Sequence, residues 1–454
     1  MAANVGATRP ASPQRSDLRK AVLASFVGTS IEWYDFFLFG SAAALVFNKV
    51  FFPNFDPLTG TLLSFATYAV AFVARPLGGA IFGHLGDRRG RKQTLVWTLT
   101  LMGAATVAMG LLPGYSSIGI AAPILLVVLR FLQGLGLGGE WGGAVAMVTE
   151  YSDAAGEQSR RGFFASWPQI GVPAGQLLAV GALSIVAATM STASFDAWGW
   201  RIPFLLSAVL ILVGLWIRKS LAESPLFASL EASERHQAPV AEVFRHHRKS
   251  LLITMGIRIA SDVSYYTFAL FGITYVTQKL GLPRSYVFNG VLVASVVQLV
   301  AIPGFAALSD RVGRRPVYLF GAVGVGAWGF AYFLLVDTRS AAAAILAITV
   351  GLLFQAAMYG PMAAFISEMF GTSVRYSGSS LGYQLAGIFG GSLAPIIGVA
   401  LLARYGSGTP VAVYLLVASL VTVTAVVLAA ETLHSDLRAA QDPVLTDNRG
   451  TTTS

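Results

Sequence analysis

Seven ionisable residues stand inside stretches otherwise almost free of charge: Glu32, Asp35, Arg75, Arg130, Glu140, Arg258 and Asp262. Holding a charge among about 20 apolar residues is costly, so such groups mark a solute or ion pathway, or pairs that fix helix register. A buried carboxylate can carry a proton, with an affinity set by burial and by neighbouring cations. An arginine can grip a carboxylate through two parallel hydrogen bonds. Glu32 and Asp35 are three residues apart, and Arg258 and Asp262 four, so on helices each pair shares a face. Three arginines at bilayer depth favour an anion over a cation or a neutral sugar. Gln133, Tyr265, Tyr266, Gln298 and Tyr383 lie in the same stretches and offer polar and aromatic lining.

The elements that position these residues are membrane helices. The chain has 454 residues, 55% hydrophobic and only 12% charged, against about a quarter charged in a soluble domain. Twelve apolar spans are read at 21–47, 60–85, 93–112, 122–150, 161–190, 201–219, 250–278, 285–308, 317–336, 341–369, 377–403 and 410–431, each long enough to cross a bilayer. They divide into a lead (1–20), a first six-helix bundle (21–219), a polar linker (220–249), a second bundle (250–432) and a tail (433–454). The run after Lys20 is too long for a signal peptide and is retained as the first helix.

The net charge of +9 does not indicate nucleic acid. Three of the 31 Lys and Arg lie within spans, 22 fall on one side and six on the other. That bias places both termini in the cytoplasm. Cysteine is absent, which excludes disulfides and thiol chemistry. The five histidines (His84, His236, His246, His247, His434) lie in loops and tail. No metal site, cofactor or nucleotide loop is indicated, and no nucleophile–base pair suggests an enzyme. Gly134, Gly136 and Gly139 fit a dinucleotide fingerprint, but it lacks the strand it requires. The pairs Gly134/Gly138 and Gly139/Gly143 suit close helix packing in lipid.

Gly83-His84-Leu85-Gly86-Asp87-Arg88-Arg89-Gly90-Arg91-Lys92 reads as a short loop between the second and third spans. It returns 223 residues later as Ala306-Ala307-Leu308-Ser309-Asp310-Arg311-Val312-Gly313-Arg314-Arg315. A repeat at half the chain length indicates a transporter built from two related halves. Gly83 allows a neighbouring helix close, and Asp87 can face a helix N-terminus or a basic partner. The ungapped offset also sets Asp35 against Arg258.

Gly-x-x-x-Asp-Arg-x-Gly-Arg-Lys, repeated in the second half with Ala306 for Gly83, resembles the signature loop of the major facilitator superfamily. Glu32-Trp33-Tyr34-Asp35-Phe36, Arg130-x-x-Gln133-Gly134, Gly138-Gly139-Glu140-Trp141-Gly142-Gly143 and Trp200-Arg201-Ile202-Pro203-Phe204 resemble its metabolite:H⁺ symporter family. So do Glu223-Ser224-Pro225, Glu368-Met369-Phe370 and Arg375-Tyr376-Ser377-Gly378; the resemblance covers residues 20–430. The shikimate-carrying branch fits the pattern best, except that its acid three residues after the helix 7 arginine is here Ser261, with Asp262 next to it.

The resemblance implies an all-α membrane protein of twelve helices, two pseudo-symmetric six-helix bundles moving by alternating access. It implies import of a small organic acid anion, such as shikimate or a di- or tricarboxylate, with H⁺. The chain would act as a monomer in the cytoplasmic membrane, driven by the proton gradient. Helices 1, 4, 7 and 10 would surround the cavity, with Asp35 or Glu32 as proton carrier beside Arg130. Arg75, Arg130 and Arg258 would hold the substrate. Gly83, Asp87, Arg88, Gly90, Arg91, Asp310, Arg311, Gly313, Arg314, Glu368 and Arg375 would form the cytoplasmic gate. Two other readings stay open. A proline or betaine symporter would carry a C-terminal coiled coil, which this tail does not encode. A drug exporter would show Gly-Pro-x-x-Gly-Gly where this chain has Gly171-Val172-Pro173-Ala174-Gly175.

Overall fold

The computed structural model describes residues 15–55, 57–219, 239–283, 285–371 and 374–435. The lead before Arg15, the linker from 220 to 238 and the tail beyond 435 lie outside the described residues. In hydrocarbon every backbone polar group must bond within its own segment, so the apolar spans fold as helices. Helix α1 is Arg15–Ala42 and continues through one π turn to Phe51; α2 is Pro57–Arg89, α3 Arg91–Leu111, α4 Ala121–Ala154, α5 Arg161–Thr189 and α6 Arg201–Lys219. In the second half α7 is Arg248–Tyr265, continuing through π turns to Lys279; α8 is Ser285–Val312, α9 Arg314–Asp337 and α10 Ala341–Glu368. Helix α11 is Arg375–Gly387, continuing to Tyr405, and α12 is Thr409–Leu428.

Eleven helices among the described residues are long and apolar enough to cross a membrane. The twelfth is α7, which Arg258, Asp262 and its run of Ser, Thr and Tyr make more polar. Most helices extend past the apolar spans, because the span marks the hydrocarbon whereas the helix runs on to its own ends. The signature stretches show this most clearly. They were expected as short loops between spans, yet α2 stays helical to Arg89 and α8 to Val312. Charged side chains at a membrane surface can leave the backbone helical. Within these stretches the helix breaks at Gly90 (φ 112°) and Gly313 (φ 100°), 223 residues apart, with dihedrals that side chains rarely adopt.

The packing repeats with the sequence. α1 packs on α5 and α6, α2 on α4, and α3 on α4 and α6. The same pairings recur six helices later: α7 on α11 and α12, α8 on α10, and α9 on α10 and α12. The bundles meet where α5 lies against α8 and α10, and α11 against α2 and α4. The glycines of α4 permit these crossings. A Cβ on Gly134 would sit 2.7 Å from the Ala71 carbonyl oxygen, and one on Gly138 2.8 Å from the Gly79 nitrogen, both on α2. A Cβ on Gly143 would meet the Tyr376 ring of α11 at 2.6 Å.

Candidate functional site

A cavity of ≈ 30 Å³ lies between the bundles, lined by Trp33 and Pro173 on one side and by Arg258, Asp262, Tyr265, Tyr266, Gln298, Gln355, Tyr359 and Tyr383 on the other. It has room for a water or two and no larger solute, so this is a closed state of the site. Arg258 and Asp262 pair at 2.9 Å, and the guanidinium lies 3.3 Å over the Tyr383 ring and donates to that residue's carbonyl. Its charge is therefore answered within the protein. Gln298 donates to Gln355 at 2.8 Å, and Gln355 to Ser261 at 3.0 Å, a polar chain across α8, α10 and α7. Ser261, where the shikimate branch was expected to carry an acid, thus serves as an acceptor in that chain. Tyr265 donates to Gln176 of α5 at 2.9 Å, and Tyr383 stacks on Trp141 of α4 at 3.7 Å. Both contacts join the two bundles.

The other two buried arginines have different surroundings. Arg75 lies 4.3 Å from the Phe36 ring, 4.5 Å from Phe72 and 5.7 Å from Trp33. Arg130 lies 4.1 Å from Phe39, 4.9 Å from Phe36 and 5.0 Å from Tyr68. Phe36 is therefore shared by two cations. Aromatic faces attract a guanidinium but are at most weak hydrogen-bond acceptors, and Nε and Nη2 of each arginine are buried without a polar partner among the described residues. Arg75 is one ring from the cavity: Trp33 lines it, and Phe72 packs 5.9 Å from Tyr266, which also lines it.

Asp35 is not at the cavity, where the sequence reading placed it. It is fully buried inside the first bundle and accepts from Thr106 of α3 at 2.9 Å and Ser207 of α6 at 2.6 Å. Gln133 donates to Thr106 at 2.7 Å and accepts from Arg130. Asp35 and Arg130 are thus linked through Thr106 and Gln133 rather than by a direct pair. The face of α1 that carries Asp35 looks toward α3 and α6, whereas Arg258 on α7 looks toward α11, so the ungapped match of the two positions does not carry over to their settings. Glu32 is buried one turn earlier on α1. Glu140 accepts from Thr98 of α3 at 3.0 Å, also away from the cavity.

At the signature end the bundles are locked. Asp87 accepts from the Ser377 backbone N–H at 2.9 Å and its hydroxyl at 2.7 Å, in the first turn of α11. Asp310 accepts from the Gly162 and Phe163 N–H groups at 2.8 Å each, in the first turn of α5. Each signature aspartate therefore caps a helix of the opposite bundle, satisfying orphan donors and opposing the positive end of the helix dipole. Gly83 makes this possible on one side, since a Cβ there would stand 3.1 Å from Ser377 Cα. Arg375 bridges to Glu150 at 2.7 Å, and Arg161 to Glu368 at 3.7 Å, again between bundles. Arg314 joins Asp310 at 2.6 Å and Glu368 at 3.0 Å. Arg88 is exposed and meets His84 at 3.3 Å; Arg311 is also exposed. Arg91 opens α3, and its side chain lies outside the described residues.

A family model described as Major Facilitator Superfamily matches residues 25–395. The chain belongs to the major facilitator superfamily. The shikimate transporter of Escherichia coli K12 is 40% identical over 90% of this chain and 93% of that protein. The proline/betaine transporter of the same strain is 34% identical over 93% of this chain and 85% of that one. Among solved structures, the superfamily's proton:xylose symporter XylE bound to 6-bromo-6-deoxy-D-glucose superposes with a TM-score of 0.70, at 16% identity, over 91% of this chain and 95% of that one. This superfamily chain is accordingly a multi-pass membrane transporter and not an enzyme.

Several site residues of this major facilitator were not legible beforehand. Thr106 and Ser207 carry no signal, because single hydroxyls in membrane helices usually bond their own backbone; Thr106 does this too, to Met102 at 3.1 Å. Gln176, Trp141 and Tyr359 are single polar or aromatic residues in long apolar runs. Glu150 and Arg161 were findable: an acid closing α4 and an arginine opening α5 mirror Glu368 and Arg375 around the α10–α11 turn.

The locks make the gate testable. A cap lost to alanine costs about 1 kcal/mol, and a charged acceptor of two bonds more, so Asp87→Ala and Asp310→Ala should each shift the equilibrium towards opening ~5–30-fold. The chain has no cysteine, so one can be introduced at Thr149, which is fully buried and 3.1 Å from Ser367 across the interface. Maleimide labelling of that cysteine should accelerate by the same factor in either aspartate variant. Unchanged labelling would mean that the caps do not hold the gate.

Proposed function

We propose that the protein is a secondary active symporter that imports a small organic acid anion, such as shikimate or a di- or tricarboxylate, together with H⁺. The observation that carries this reading is the pair Arg75 and Arg130, buried on aromatic faces with unpartnered N–H groups, while Arg258 is already matched by Asp262. A carboxylate would satisfy those donors bidentately, and the glutamine chain at Gln298 and Gln355 suits hydroxyl or second carboxylate groups. The similarity to the shikimate transporter supports the same class. Asp35 carries the proton, in this reading. Its protonation removes an acceptor from Thr106 and, through Gln133, resets Arg130.

The signature end is cytoplasmic in this proposal, on the strength of the charge bias. The cysteine at Thr149 tests it: an impermeant maleimide should reach it in inside-out vesicles only. The similarity to the proline/betaine transporter favours a zwitterion as the second reading. Uptake of a labelled panel into proteoliposomes, with shikimate, dicarboxylates, citrate, proline and betaine, separates them. Acid-stimulated uptake confined to the anions is expected. Uptake of betaine or proline alone would overturn the anion reading, and uptake indifferent to the proton gradient would overturn the coupling.

A further inference from the structure

We propose that the seam between the end of α8 and the start of α9 is a binding site for one anionic phospholipid, with an acyl chain in the groove and its head group on Arg311. The groove has a volume of ≈ 310 Å³ and is lined by Phe305, Leu308, Val312, Pro316, Val317 and Phe320. Leu308, Val312 and Phe320 are 44%, 51% and 55% exposed. Because α8 and α9 span the membrane, the groove opens to the acyl region next to the bilayer surface.

The repeat supplies an independent argument. Phe305, Leu308 and Phe320 correspond, 223 residues earlier, to the apolar Phe82, Leu85 and Trp97. Val312, Pro316 and Val317 instead correspond to Arg89, Gln93 and Thr94. Only the second copy has an apolar floor at the membrane surface, and the fold common to both halves does not require it.

Charge complementarity fixes the class of lipid. Arg311 is exposed three residues after Leu308, on the same helix face. The neighbouring cations are committed elsewhere: Arg314 to Asp310 and Glu368, and Arg315 to the Val426 and Val427 carbonyls. The first turn of α9 is also taken, since Glu431 accepts from the Arg314 and Arg315 N–H groups at 2.9 and 3.0 Å. Among the described residues of this seam, Arg311 is therefore the cation left to hold the head group. An apolar chain gains little on leaving lipid for a groove, so selectivity rests on that charge, and one basic side chain near an anionic surface gives a preference of about five-fold.

The test is native mass spectrometry of the purified full chain titrated with phosphatidylglycerol or phosphatidylcholine. The wild type should retain one lipid with about five-fold preference for phosphatidylglycerol. Arg311→Gln should abolish the preference while still retaining lipid. Val312→Gln with Pro316→Gln should lower retention of both lipids several-fold. Arg88→Gln, the counterpart of Arg311 in the first copy, should change neither reading. An undiminished preference in Arg311→Gln overturns the proposal, as does full retention in the double variant. A loss of preference in Arg88→Gln equal to that in Arg311→Gln also overturns it, as generic surface charge. Thermal unfolding of each variant in detergent identifies any that fails to fold, and Leu308→Gln then replaces it.

Discussion

Asp35→Asn is expected to abolish accumulation of substrate against its gradient while exchange across the membrane continues. A monovalent anion moving with one proton is electroneutral, so the wild type should accumulate it about ten-fold per unit of pH difference, the free energy of one pH unit. Asparagine keeps the size of the side chain but can neither gain nor lose the proton, and the ratio should fall to unity. Exchange needs no net proton movement and should persist. The structure sharpens this expectation. Asp35 does not line the cavity and is linked by hydrogen bonds to Arg130 through Thr106 and Gln133. Thr106→Val should therefore weaken coupling part-way, although it removes no ionisable group. Uptake driven by a pH step in proteoliposomes, paired with counterflow, reads both quantities. If Asp35→Asn still accumulates substrate, Asp35 is not the carrier, and Glu32→Gln becomes the variant to measure.

Arg75→Gln is expected to weaken substrate binding by about 10–100-fold, the value of one hydrogen bond to a charged group. The effect should appear in the apparent Km for exchange, with a smaller change in maximal rate. The contrast with Arg258 makes the experiment specific. Removing Arg258 alone leaves Asp262 buried without its cation, at a cost of about 3–5 kcal/mol, so Arg258→Gln should fail mainly in folded yield. Arg258→Gln with Asp262→Asn removes both charges and should restore yield. If Arg75→Gln leaves Km unchanged and the double variant raises it, the carboxylate is held at Arg258 and the assignment is reversed.

The sequence by itself determined the fold and where the charges lie. Twelve apolar spans admit only helices in a bilayer, because no water is present to satisfy an exposed backbone. The 223-residue repeat fixed two related halves, and Gly90 and Gly313 share a left-handed backbone because both copies turn at the same point. What each charge does was decided by tertiary structure. Spacing puts Arg258 and Asp262 on one helix face, and there they pair, since i, i+4 proximity needs no other helix. Spacing cannot say toward which neighbour a face turns, so Asp35 was read at the cavity although it lies among α1, α3 and α6. The signature aspartates show the same division. Their type and position allow a helix N-terminus or a basic partner, but the N–H groups they accept from, in α11 for Asp87 and α5 for Asp310, lie 290 and 148 residues away. Only the docking of one bundle against the other brings those N–H groups within reach.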